Sequence, residues 1–133
     1  MITGLYAGLL ALWLAFLLLR VVRCRYKYRV GLGVSRDGAS CEELERAVRV
    51  HGNFTEIVPL ILILMLLLEM QNIPLFLIHI FGVLLCVSRV SHWIGLSRSD
   101  GASVPRFIGT VLPVLMMIGG GGLLIFTYLS LIL

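Results

Sequence analysis

The chain has 133 residues, of which 59% are hydrophobic and 14% charged, with eleven Lys and Arg against seven Asp and Glu. A soluble domain carries about 25% charge, and a mean hydropathy of +1.04 excludes a water-soluble globule. Four apolar runs hold the excess, Ile2–Leu19, Phe54–Leu68, Ile73–Leu96 and Phe107–Leu133. A hydrocarbon layer about 30 Å thick takes about 20 helical residues to cross, so the expected class is an all-α, integral membrane four-helix bundle.

In lipid every backbone polar group must be paired within the chain, which makes each span a helix. The first is expected over about residues 2–28. It has no basic segment before its apolar run and its positive charges follow, which marks an N-terminus-out first span rather than a cleaved leader. The glycine-rich stretch "GLGVSRDGAS" shows no apolar periodicity and reads as a loop. Ser40 then stands as a candidate N-cap, with Glu43 three residues on completing a capping box, and opens a helix over about 41–69. Residues 71–74 form a turn, a third helix covers about 75–97, and "RSDGAS" leads into a fourth over about 105–130. The whole of 1–133 reads as one domain. In the fourth helix Pro113 and the run Gly119–Gly122 suit a bend and close helix approach; no strand precedes the glycines, which argues against a phosphate loop.

All eleven basic residues lie in two zones, Arg20–Arg49 and Arg89–Arg106. The positive-inside rule therefore places both zones in the cytoplasm and both termini on the opposite side. Clusters such as "RVVRCRYKYR" attract anionic membrane lipids and give no reason to invoke nucleic acid. Cys24, Cys41 and Cys86 make an odd count without metal-type spacing, so ordinary thiols and no metal are expected.

Polar residues within the spans carry the chemistry. Glu42, Arg46, Arg49, Asn53 and Glu56 recur every three or four residues and form one stripe facing one neighbour, with His51 on roughly the other side. Pro59 loosens the helix at the Thr55 carbonyl. Arg89 and His92 of "RVSH" share a face of the third helix. Counted from the far turn at about 1.5 Å per residue, Glu56 and Arg89 both lie about 20 Å in. They can form a structural ion pair, since intramembrane charges usually pair. Arg49, Asn53, His92 and Arg106 join them at that level, however, and three arginines against one glutamate suggest a water-accessible anion site. Arg106 would stand in the first turn of its helix, where the dipole attracts anions. His79 reads as a hydrogen-bonded interior histidine, Trp93 and Tyr28 as interfacial residues, and Met65, Met70, Met116 and Met117 as packing.

The pattern "ERAVRVHGNFTEIVP" followed one span later by "RVSH" resembles MAPEG, the membrane-associated proteins in eicosanoid and glutathione metabolism, in their compact bacterial form. The resemblance implies a homotrimer in the bacterial inner membrane that binds glutathione between neighbouring subunits near the cytoplasmic face. Arg49, Asn53 and Glu56 would hold the tripeptide, with His51, Arg89 and His92 assisting and Arg25 contributing from the end of the first span. Arg106 matches the arginine that stabilises the thiolate. Leu96 stands where the eicosanoid-synthesising members have a tyrosine, and Phe107, Thr110 and Gly52 replace residues of the prostaglandin E synthase, so prostaglandin synthesis is not expected and the second substrate would be another lipophilic small molecule. The implied function is a glutathione- or other thiol-dependent transferase or peroxidase. Two rivals share these residues: a non-catalytic protein binding an anionic lipid or small anion in the same arginine-rich pocket, and a proton-coupled exporter, which excess arginine beside Glu56 disfavours.

Overall fold

The computed structural model describes residues 1–98, 101 and 103–132. Its helices are α1 (Ile2–Tyr28), α2 (Glu42–Met70), α3 (Leu75–Arg98) and α4 (Val104–Ile132), and a short hairpin of β1 (Ser35–Arg36) and β2 (Ala39–Ser40) separates the first two helices. Each helix is long and apolar enough to cross a membrane. The chain is an all-α four-helix bundle.

From Ile2 to Leu19 nearly every side chain of α1 is apolar, as suits a helix bathed in hydrocarbon. Burial still follows one helical face, through Tyr6, Leu10, Leu17, Val21 and Cys24. The helix ends where Arg29 turns left-handed at φ 53°. There the Arg29 N–H reaches the Tyr26 carbonyl and the Val30 N–H the Arg25 carbonyl, a Schellman arrangement that satisfies terminal acceptors.

The stretch read as a plain loop holds the hairpin instead. Ser35 pairs with Ser40 and Arg36 with Ala39, leaving Asp37 and Gly38 as a two-residue turn with φ of 53° and 80°. A type I′ turn needs positive φ at both central residues, and Asp-Gly is a preferred pair for it; the Asp-Gly signal was present in the sequence, while the strands are too short for periodicity to register.

The expected capping box does not form. Cys41 is the N-cap residue and makes no side-chain cap bond. The Ser40 hydroxyl donates to Glu45 instead, and Glu43 accepts from Lys27 and from the Tyr28 hydroxyl. Glu43 thus ties the start of α2 to the end of α1. Three acids in the first turn of α2 still complement the positive end of its dipole.

Between α2 and α3 the chain reverses through Asn72 at φ 58°. At this end the Glu69 carboxylate accepts the backbone N–H groups of Ile2 at 2.5 Å and Thr3 at 2.9 Å, and Thr127 donates to Gln71. The central core is built from Leu10, Leu17, Phe54, Ile61, Met65, Ile78, Leu85 and Met116. A smaller cluster of Val21, Cys24, Val30, Leu44 and Ala47 closes the basic end.

The glycines that bring helices together are not the conspicuous run. A Cβ at Gly82 would collide with the Tyr6 ring, one at Gly95 would lie 2.6 Å from the Arg106 nitrogen, and one at Gly109 2.6 Å from the His92 Cα. In the Gly119–Gly122 run only Gly120 has neighbours within contact range, Phe81 and Leu64. His79 shares a 3.1 Å hydrogen bond with the Tyr6 hydroxyl, yet its residue is exposed on the outer face of the bundle rather than interior.

Candidate functional site

The polar centre of the bundle is Arg89, 3% exposed. Its Nη1 donates to Asn53 Oδ1 of α2 at 2.7 Å, its Nη2 to the Gly109 carbonyl of α4 at 2.6 Å, and its Nε to Ser88 Oγ at 3.2 Å. One side chain therefore joins three helices. The Gly109 carbonyl has a helical position, and the missing Cβ of Gly109 is what lets α3 come close enough for a guanidinium to reach it. Ser88 is itself anchored, donating to the Leu85 carbonyl at 2.8 Å.

The ion pair weighed between Glu56 and Arg89 is not made: among the described residues no salt bridge joins them, and Glu56 is exposed. Asn53, one turn earlier in α2, takes that place. At 100° per residue the stripe from Glu42 to Glu56 is centred roughly 125° around the helix from the buried line. It forms a flank of the bundle, not its interior. Asn53 sits on the inner half of that flank and engages α3. Arg49 and Glu45 pair with each other at 3.3 Å, and the Arg49 side chain is 68% exposed. Arg46 pairs with Glu42 at 3.4 Å. His51 is half-buried.

One turn beyond Arg89, His92 is 8% exposed, and its Nδ1 is buried without a hydrogen-bond partner. Its backbone abuts Gly109, as that of Arg106 abuts Gly95. The two contacts are reciprocal, a glycine of each helix receiving the other helix's backbone. They seat His92 and Arg106 along one α3–α4 seam at the end of the bundle where α4 begins. Arg106 is half-buried in the first turn of α4, and the Thr110 hydroxyl donates to its carbonyl at 2.9 Å. Leu96 is buried beside this seam, whereas Phe107 is 66% exposed.

Arg25 lies elsewhere. Its Nη1 reaches the carbonyls of Val30, Gly31 and Gly33 at 3.2–3.3 Å, holding the loop after α1. The fold thus gathers Asn53, Arg89, His92 and Arg106. It leaves Arg49 and Glu56 on the outer flank of α2, and Arg25 in the loop. Ser88, Gly95 and Gly109 belong with the gathered set and escape a reading of motifs, because an isolated small residue in an apolar span is a weak signal. Trp93, read as interfacial, packs edge-on against Trp13 with ring centres 5.5 Å apart and lies under the Arg20 guanidinium at 5.9 Å.

With this geometry established, comparison with known proteins assigns the class. The sequence profile of the MAPEG family matches residues 3–126, and the chain belongs to that family. It is similar to the inner membrane protein YecN of Escherichia coli strain K12, 41% identical over 95 residues that cover 71% of this chain and 70% of that protein. The YecN of Escherichia coli O6:H1 strain CFT073 matches to the same extent. No solved structure gives a significant match.

Proposed function

We propose that this MAPEG protein is an inner-membrane, thiol-dependent transferase or peroxidase that uses glutathione or a similar thiol against lipophilic electrophiles. The observation that carries this reading is the anchored Arg89, with His92 and Arg106 along the same seam and Arg49 and Glu56 on the open flank of α2. A ligand with two carboxylates and an ammonium is complementary to several arginines plus one glutamate. Because the Arg49 and Glu56 flank points out of the subunit, the site is completed by a second copy, in a homotrimer whose subunits each present that flank to a neighbour. Both interhelical loops that carry basic residues face the cytoplasm, and the termini the other side.

Arg106 would supply the activating charge. A free thiol has a pKa of about 8.5, and lowering it by two units takes about 2.7 kcal/mol of preferential thiolate stabilisation. A guanidinium at the N-terminal turn of α4 adds its charge to the helix dipole. The thiolate sulfur then attacks an electrophilic carbon arriving from the bilayer, adding to a polarised double bond or expelling an anionic leaving group. With a peroxide it attacks an oxygen, breaking the O–O bond to give a sulfenic acid and an alkoxide that takes a proton from water. The buried His92 Nδ1 offers a polar atom that a bound ligand would satisfy.

Calorimetry of glutathione with detergent-purified protein tests the reading. The expected result is binding that Glu56→Gln weakens, with Arg106→Ala raising the thiol pKa of bound glutathione as read by thiolate absorbance. No heat of binding at millimolar glutathione would overturn glutathione as the thiol, and none with other small thiols either would overturn the reading.

A further inference from the structure

On the outer face of α1, away from the Arg89 seam, a groove of about 420 Å³ runs from Phe16 and Leu19 up through Arg20 and Arg23 to Lys27, and Glu43 of α2 closes its top. We propose that this groove is a binding site for one anionic phospholipid, with the headgroup phosphate between Arg20 and Arg23 and an acyl chain against Phe16 and Leu19.

Its layout follows from the helix period. Positions 16, 20, 23 and 27 recur every three or four residues, so they stack on one face. The lower residues are large, apolar and outward-facing, with Phe16 44% and Leu19 62% exposed. The upper ones are cationic. An apolar floor under a basic rim at the end of a membrane span has the polarity order of a phospholipid, tail below and phosphate above.

The charges in the rim are not equivalent. Lys27 is committed to Glu43 at 2.5 Å, so that pair is neutral as a unit. Arg20 is held by the Trp93 ring and by a 3.3 Å hydrogen bond to Ser97 Oγ, which fixes it on the groove wall. Arg23 is exposed, and among the described residues no ion pair or side-chain hydrogen bond engages it. Two cationic groups therefore remain for a ligand, one pre-positioned and one available. A soluble anion would use the arginines but not the floor. A second copy of the chain has little to offer them, because the described acids nearest this end are already paired: Asp37 with Arg36, Glu42 with Arg46 and Glu45 with Arg49. A phosphodiester supplies the missing negative charge.

The test is native mass spectrometry of the full chain released from nanodiscs of equal phosphatidylglycerol and phosphatidylcholine. Retained phosphatidylglycerol should exceed phosphatidylcholine, with the ratio falling about fivefold in Arg23→Gln and further in Arg20→Gln/Arg23→Gln. Arg36→Gln, in the hairpin, should leave the ratio unchanged. If Arg23→Gln keeps the full preference, or Arg36→Gln loses as much as Arg23→Gln, the site is wrong. If 10 mM inorganic phosphate strips the lipid from the wild-type protein, the groove is a soluble-anion site. If Arg23→Gln disperses an oligomer while lipid retention holds, a second copy covers the groove; each of these last two results overturns the lipid assignment. Because Arg20 also packs on Trp93, the single Arg23 variant keeps the test valid should the double variant fold poorly.

Discussion

Arg89 of α3 donates through Nη1 to Oδ1 of Asn53 in α2, 36 residues earlier, at 2.7 Å. The contact converts the most conspicuous polar motif of the sequence into a structural joint. Asn53 turns inward to hold a buried guanidinium, and its neighbours on the stripe, Arg49 and Glu56, stay outside. Removing the acceptor should leave that guanidinium short of a partner. Asn53→Ala is expected to destabilise the bundle by about 1–3 kcal/mol, whereas Asn53→Asp keeps an acceptor and should lose less. Thermal unfolding in detergent measures both; equal midpoints for Asn53→Ala and wild type would show that the joint contributes nothing.

Glycine positions allow a sharper comparison. At Gly109 a methyl group would press on the His92 backbone, and at Gly121 nothing lies within 4 Å. Gly109→Ala is therefore expected to cost about 1–3 kcal/mol through overpacking, and Gly121→Ala to be neutral or to gain up to about 1 kcal/mol of helix propensity. The same unfolding assay ranks the two. Reversal of that order would contradict the close approach of α3 and α4.

At the opposite end, Glu69 caps α1 across space by accepting the Ile2 and Thr3 N–H groups. Glu69→Ala should cost about 0.5–2 kcal/mol, the range for a lost N-cap acceptor. Amide hydrogen exchange localises the effect: the first turn of α1 should lose protection while the middle of α3 retains it. Uniform loss throughout would mean that Glu69 supports the whole bundle rather than one helix end.

Orientation is open to a chemical test at the hairpin. The Asp37 side chain is 88% exposed at the tip of the β-turn. In a background of Cys24→Ala, Cys41→Ser and Cys86→Ala, an added Asp37→Cys change should react with a membrane-impermeant maleimide in inverted inner-membrane vesicles and not in right-side-out ones. The opposite pattern would place the basic loops outside.

Much of this architecture is legible in the residues themselves. Apolar runs long enough to span lipid leave the backbone no choice but helix, so four spans, their approximate ends and the class of bundle follow from composition and length. The E-R-x-x-R-x-H-x-N-x-x-E-x-x-P pattern likewise carries the family resemblance, since it depends on residue types at fixed spacings. Periodicity also identifies which residues of α2 share a face.

What periodicity cannot say is which way that face points. Asn53 and Glu56 sit within the same stripe, yet one meets Arg89 and the other is exposed, because the stripe lies along the edge of the packed surface. Only the positions of the other three helices draw that edge. The same holds for Gly95 and Gly109, ordinary in the chain but decisive where two backbones touch, and for Arg25, whose guanidinium goes to the loop carbonyls beside it. Local spacing fixes a helix, the order of side chains around it and its i,i+4 pairs such as Arg49 with Glu45; which side chains meet across helices is a property of the neighbouring helices, and that was decided by the tertiary packing alone.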